Sequence, residues 1–318
     1  MSYIAFLDML GTRAAAAVSN AEYKRAIKAF HKSMNDAASF CKGDCKIFGY
    51  SDNAYIEIEE FDDIIVFFRE LRQLLLEKHL YFSAAIAPGS LGVDDSIVKT
   101  GNQGYSMVFT ATEAIQVYRL QCAFSGIGIT VSNKIIKEIE NISSSSDFCN
   151  TIFQPLVDSN HYECIYDISY KNIVLEEIEY IIADYITTNV MDKRAGRYYI
   201  TPIISVIKCI DEDIIINKRE QLVRLITAQS IPNDFSEELN KDLILLFVFA
   251  LLDRSLCLYE KNMDMDINVI LQHLIECSEI NIKEFIKKIP SIKNEIVSEI
   301  HKKQILKCLY NMSQDNKK

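Results

Sequence analysis

The chain has 318 residues, 49% of them hydrophobic and 25% charged, with 34 Lys+Arg against 44 Asp+Glu for a net charge of −10. That balance describes a folded globule of one large or two medium domains. It excludes a protein whose business is to cover nucleic-acid phosphates, which takes a basic face, so no stable nucleic-acid partner is expected.

The opening MSYIAFLDML has no basic leader and meets an acid at Asp8, which is unlike a secretory signal. Tyr3 to Leu7 form a short apolar run that reads as a buried strand, with Asp8 at its end and Leu10-Gly11-Thr12 as a tight turn. Residues 13 to 40 place Ala26, Phe30 and Met34 at helical spacing. Cys45 to Gly49 and Ala54 to Ile58 read as two strands around Tyr50-Ser51-Asp52-Asn53, a hairpin with an acid at its tip. A helix follows over 61–78, on which Ile64, Phe68, Leu71 and Leu75 share a face. A strand then runs from Tyr81 to Ala87 and stops at Pro88-Gly89. Thr110 to Cys122 read as a further helix, Ile127 to Val131 as a final strand, and Asn133 to Ile139 as a helix. The Ser143–Ser146 run is expected to be a loop. Beyond about residue 170 the chain reads as mostly helical, with turns at Pro202, Pro232 and Pro290. The expected class is α+β, with domains at 1–168 and 169–318.

The longest apolar run, Leu243 to Leu252, has 10 residues, against about 20 needed to span a bilayer, so no membrane attachment is expected. Nine Cys are scattered along the chain. Cys41 and Cys45 form one CxxxC without a second ligand pair nearby, and the five His show no ligand spacing. Reduced thiols in a cytoplasmic protein are therefore expected, with neither a zinc nor a histidine site.

Asp8 and Asp52 carry the chemistry. In a β-α-β-β unit the first strand lies beside the hairpin, so the two carboxylates can converge at one sheet edge. Together with the Met9 carbonyl they are what a hard Mg²⁺ (or Mn²⁺) asks for when phosphates and water complete its shell. Two such ions about 4 Å apart can activate a hydroxyl and stabilise a leaving oxygen at phosphorus. Leu10, Gly11 and Thr12 would offer backbone N–H groups and a hydroxyl to phosphates ahead of a helix N-terminus. The other reading has Asp8 capping the next helix and Asp52 serving as a turn residue; spacing alone leaves both open.

FLDMLGT (6–12), GYSDN (49–53), AAIAPGSLG (84–92) and the stretch 105–132 ending in GIGITVS resemble the catalytic domain of class III nucleotidyl cyclases, over roughly residues 3–140. The resemblance implies a ferredoxin-like, palm-type fold and two Mg²⁺ held by Asp8, Asp52 and the Met9 carbonyl. It also implies a nucleoside triphosphate substrate and a homodimer in which each site is completed by the partner chain. The positions nearest the purine determinants of that family are Phe48, with Lys46 two residues off, and Ser106 after Tyr105. The family's helical Asn/Arg pair is not cleanly present; Glu113, Gln116 and Arg119 occupy that stretch. The pattern looks closer to the bacterial Pycsar-type cyclases, which make cyclic CMP or cyclic UMP for a downstream effector in anti-phage defence.

Arg119 is the candidate triphosphate or transition-state ligand, with a salt-bridged surface Arg as the alternative. Arg13 and Lys99 stand behind it. Tyr50 could touch the base or, as a strand-end Tyr, pack on the core. The G-x-x-G at Gly101 to Gly104 lacks a P-loop Lys and reads as a turn, as does Met263-Asp264-Met265-Asp266. Three activities share these residues: a nucleotidyl cyclase, a palm-type polymerase making cyclic oligonucleotides, and an inactive nucleotide-sensing scaffold.

Overall fold

The computed structural model describes residues 2–10, 19–94, 108–109, 111–123, 127–142, 153–155, 161–164, 171–191, 199–208, 210, 212–227, 241–261, 267–278, 281–292 and 297–315. The chain divides into two compact units, Met1–Asp167 and Ile168–Lys318.

The first unit opens with β1 (Tyr3–Leu10), α1 (Asn20–Ala38), β2 (Cys45–Tyr50), β3 (Asn53–Ile58), α2 (Phe61–Leu76) and β4 (Tyr81–Pro88). These four strands lie in the order β2-β3-β1-β4, with β1 antiparallel to both β3 and β4. That is the ferredoxin-like β-α-β-β-α-β arrangement, and the class is α+β as expected. A two-stranded ribbon, β5 (Val93–Asp94) with β6 (Val108–Phe109), precedes α3 (Thr112–Ala123), β7 (Gly128–Ser132) and α4 (Asn133–Ile142). β7 pairs parallel to β4.

Several element boundaries differ by one to three residues from the sequence expectations, and the sheet is larger than expected. β1 runs on through Asp8 to Leu10, so Leu10 is a strand residue rather than part of a turn. The strand at Gly128–Ser132 is not the last, because β8 (Phe153–Pro155) and β9 (His161–Cys164) extend the sheet to β2-β3-β1-β4-β7-β9-β8. Strands of three and four residues are too short to register a two-residue period. Helix α3 begins at Thr112, two residues late. The Ser143–Ser146 run lies outside the described residues.

The Ser19 side chain accepts from the Glu22 N–H at 3.1 Å and so caps α1. β1 is apolar from Tyr3 to Leu7 because it is central. Tyr3, Ala5, Leu7 and Met9 face one layer built from α1 and α2 (Phe30, Met34, Phe67, Phe68, Leu71). Ile4 and Phe6 face the other, built from α3 through Ala114 and Val117. Asp8 lies on this second face, since alternate strand residues share a side.

The second unit is helical in its described residues: α5 (Lys171–Met191), α6 (Ile200–Lys208), α7 (Glu212–Asn217), α8 (Arg219–Ile226), α9 (Lys241–Lys261), α10 (Ile267–Ser278), α11 (Ile282–Lys288) and α12 (Glu299–Asp315). α9 is its central element, burying Phe247 through Leu252 in an unbroken run. Among the described residues no helix is long and apolar enough to cross a membrane.

Candidate active site

The site is built from the sheet register. Asp8 stands opposite Asn53 on β3 and Ser83 on β4; Asn53 in turn pairs with Tyr50, and Ser83 with Gly128. Paired residues share a face, so Tyr50, Asn53, Asp8, Ser83 and Gly128 form one row across the end of the sheet. The next row inward is Phe48, Tyr55, Phe6, Ala85 and Thr130.

The ladder also sets the Asp52 backbone opposite Met9, the residue after Asp8. The Met9 N–H donates to the Asp52 carbonyl at 2.8 Å, one step beyond the Asp8–Asn53 pair. Bonded and non-bonded pairs alternate in an antiparallel ladder. Asp8 and Asn53 therefore form a non-bonded pair, where side chains approach most closely, and the Met9 carbonyl faces the turn like its N–H. The Asn53 Nδ2 donates to Asp52 Oδ1 at 2.9 Å. Both acids are half-buried.

The turn that carries Asp52 is clamped from below. Tyr50 and Asn53 flank a two-residue loop, and its first residue, Ser51, adopts φ +54°. A non-glycine residue in that left-handed region costs about 1–2 kcal/mol. Two side chains of α1 hold it there. The Tyr23 hydroxyl bonds Ser51 Oγ at 2.8 Å, and His31 Nε2–H donates to the Ser51 carbonyl at 2.8 Å. Gly49 makes room for the imidazole, since a Cβ at that position would fall within the ring's contact distance.

Aromatic side chains wall the face. The Phe6 ring lies 4.8 Å from Tyr55 and 5.1 Å from Tyr118 of α3. The Tyr118 hydroxyl is pushed up from its ordinary value, first by its hydrogen bond to Cys122 and further by nearby charge, including that of Asp8. Tyr55 is pushed up by burial, then by Tyr50, Tyr118 and Cys122. Asp8, Tyr50, Tyr55, Tyr118 and Cys122 thus share one electrostatic neighbourhood.

One group in the row lacks what burial demands. Ser83 Oγ is 2% exposed and has no hydrogen-bond partner, and Thr130 Oγ1 one row inward is in the same state. An unpaired buried hydroxyl costs about 1–3 kcal/mol, so its presence beside Asp8 calls for a partner. Gly128, next in the row and at φ +141°, adds no side chain there. The candidate ligands at this end of β1 and in the adjoining turn, the Asp8 and Asp52 carboxylates and the Met9 carbonyl, are oxygen donors, which suits Mg²⁺ or Mn²⁺.

The other sequence candidates separate. Phe48 is half-buried and packs on the Phe6 side. Tyr50 is 56% exposed, which overturns its packing on the core: it ends β2, the edge strand of the sheet among the described residues. Lys46 pairs with Glu57 at 3.2 Å. Arg119 is exposed on α3, one residue past Tyr118. Leu10 is the last residue of β1. Gly11, Thr12, Arg13, Lys99, Gly101 to Gly104 and Ser106 lie outside the described residues. Sequence reasoning missed Ser83, Tyr118, Tyr23 and His31 as parts of the site. Only Ser83 left a trace, as the one aliphatic hydroxyl within the largely apolar YFSAAIA segment.

No protein-family model matches the chain, and neither does any curated protein sequence. Among solved structures it is similar to the guanylyl cyclase Cya2, at 12% identity over 54% of this chain and 94% of that one, TM-score 0.37. It is also similar to the guanylyl cyclase domain of the RhoGC fusion protein from the aquatic fungus Blastocladiella emersonii, at 12% identity over 51% and 92%, TM-score 0.35. A third is the adenylyl cyclase CyaB from P. aeruginosa, at 13% identity over 51% and 90%, TM-score 0.34. Likenesses this distant leave the chemistry to be argued from the residues themselves.

Proposed function

We propose that residues 1–168 form a nucleotidyl cyclase that converts a nucleoside triphosphate into a 3′,5′-cyclic nucleotide and pyrophosphate, with residues 169–318 as a helical accessory domain. The ribose 3′-oxygen attacks the α-phosphorus, the bond from that phosphorus to the β-bridging oxygen breaks, pyrophosphate leaves, and the 3′-hydroxyl proton passes to solvent. Asp8, Asp52 and the Met9 carbonyl hold two divalent ions in this reading. When bound, these supply positive charge to the 3′-oxygen and to the transferring phosphoryl group. Asn53 fixes the Asp52 carboxylate, the Tyr23–His31 clamp fixes its turn, and Ser83 offers a hydroxyl to a substrate oxygen. Gly11, Thr12 and Arg119 are assigned to the phosphates, and Leu10 to the same backbone cradle. What supports the reading above all is the Met9–Asp52 backbone bond beside the Asp8–Asn53 pair, which makes the residues carrying the two acids neighbours in the strand ladder.

The base is proposed to be a pyrimidine, cytosine or uracil. The half-buried Phe48 ring occupies the sheet face beneath Tyr50, and a site shaped by a ring there favours the smaller base; Ser106 would hydrogen-bond its edge. A homodimer fits the aromatic surface left by Tyr50 at 56% and Tyr118 at 47% exposure on this face. The product would act in the cytoplasm on a cyclic-nucleotide-sensing effector in anti-phage defence.

The test incubates purified full-length chain with each of the four nucleoside triphosphates and Mg²⁺ or Mn²⁺, and identifies products by mass. Cyclic CMP or cyclic UMP is expected, falling at least about a hundredfold in Asp52→Ala. Faster conversion of ATP or GTP would refute the pyrimidine assignment. Cyclic oligonucleotides would replace the cyclase with a polymerase, and no product from any triphosphate would leave a nucleotide-sensing scaffold.

A further inference from the structure

Far along the chain, the second unit gathers a different set of donors. Asp253 and Cys257 lie one helical turn apart on α9, so they share a face, and His301 enters from the first turn of α12. One ligand atom from each of the three lies within 4.8 Å of the other two. Asp253 is 9% and His301 5% exposed, in a helical layer that buries Phe249, Leu252 and Leu256 around them. Asp253 Oδ1 accepts from the Ser298 N–H at 3.0 Å and from His301 Nδ1–H at 2.6 Å, and Ser298 Oγ accepts from the His301 N–H at 3.2 Å.

Capping of α12 accounts for Asp253 and Ser298. The imidazole of His301 bonds that capping acid, and the half-buried Cys257 thiol, one helical turn from Asp253, completes a triangle of carboxylate, imidazole and thiol donors. We propose that Asp253, Cys257 and His301 bind a zinc ion, each through one atom, with a water or an incoming ligand in the fourth position. Tetrahedral Zn–N and Zn–S bonds of about 2.0–2.3 Å set ligand separations of roughly 3.3–3.8 Å, so side-chain shifts of about 1 Å close the site. The proton shared by His301 Nδ1 and Asp253 stands where the ion would sit. On binding, the imidazole keeps one N–H by carrying it at Nε2, and the Cys257 thiol releases its proton to solvent. Thiolate plus imidazole favours Zn²⁺ over Mg²⁺ or Ca²⁺, which separates this site chemically from the all-oxygen site of the first unit. Bound there, the ion would tie α9 to α12.

The test uses full-length protein stripped with a chelator and titrated with Co²⁺, whose thiolate charge-transfer absorption reports the sulfur ligand. One equivalent is expected to produce that band, Zn²⁺ to abolish it by displacement, and the thermal midpoint to rise with Zn²⁺. Cys257→Ser, which leaves the Asp253–His301 pair in place, should lose the band and weaken Co²⁺ binding at least about tenfold. Cys45→Ser should keep both. Absence of the band in the wild-type chain, or its persistence in Cys257→Ser, would overturn the proposal. The wild-type titration and thermal midpoint decide the matter even where a variant fails to fold.

Discussion

The seat of Asp52 depends on a residue far from it in sequence. Ser51 holds φ +54° against a cost of about 1–2 kcal/mol, and the His31 bond to its carbonyl offsets roughly 0.5–1.5 kcal/mol of that. His31→Ala removes the bond and the ring that packs over Gly49. The exposed carbonyl can turn to water, so global stability should fall by no more than about 1 kcal/mol. The turn, however, loses what held it in the left-handed region, and about 1 kcal/mol shifts its seated population roughly fivefold. The Met9 amide, bonded to the Asp52 carbonyl, reports that seating directly. Its hydrogen exchange should quicken about fivefold in His31→Ala, with a matching loss of turnover. Adding Ser51→Gly should restore slow exchange, because glycine adopts positive φ at no steric cost. Unchanged Met9 exchange in His31→Ala, or a double variant as fast as the single one, would refute the clamp.

Ser83→Ala should raise unfolding stability by about 1 kcal/mol in urea titration, because it removes a buried hydroxyl that has no partner. The same change should raise KM for the nucleotide; a variant that is destabilised with KM unaltered would remove Ser83 from the site. Asp63, buried at the start of α2, accepts from the Lys42 and Gly43 N–H groups at 3.0 and 2.8 Å, and these bonds hold its carboxyl below the usual range. Its folded pKa is the lower one, so its stabilisation is present above the ordinary carboxylate range and is lost as pH falls through the folded value. Asp63→Asn should therefore cost about 1–3 kcal/mol at pH 7, with the gap to wild type closing in acid; a pH-independent gap would contradict the assignment.

Periodicity and turn chemistry in the sequence determined the β-α-β-β-α-β order, because each of those elements is long enough to show its period and is closed by a local signal. Pro88-Gly89 stops β4, and Ser51-Asp52 turns the hairpin. The two acids were legible for a local reason as well: Asp8 interrupts the apolar run of β1, and Asp52 stands in the hairpin turn. The short strands Phe153–Pro155 and His161–Cys164 were not legible, since three or four residues carry no period and owe their state to pairing, the second with β7 and the first with the second. Which residues meet was decided only by the tertiary structure. Ser83 joins Asp8 through sheet register, His31 reaches Ser51 from a helix, and His301 meets Asp253 and Cys257 across two helices. Register and helix packing are set by burying whole faces at once, so juxtapositions of this kind leave no spacing in the chain to be read.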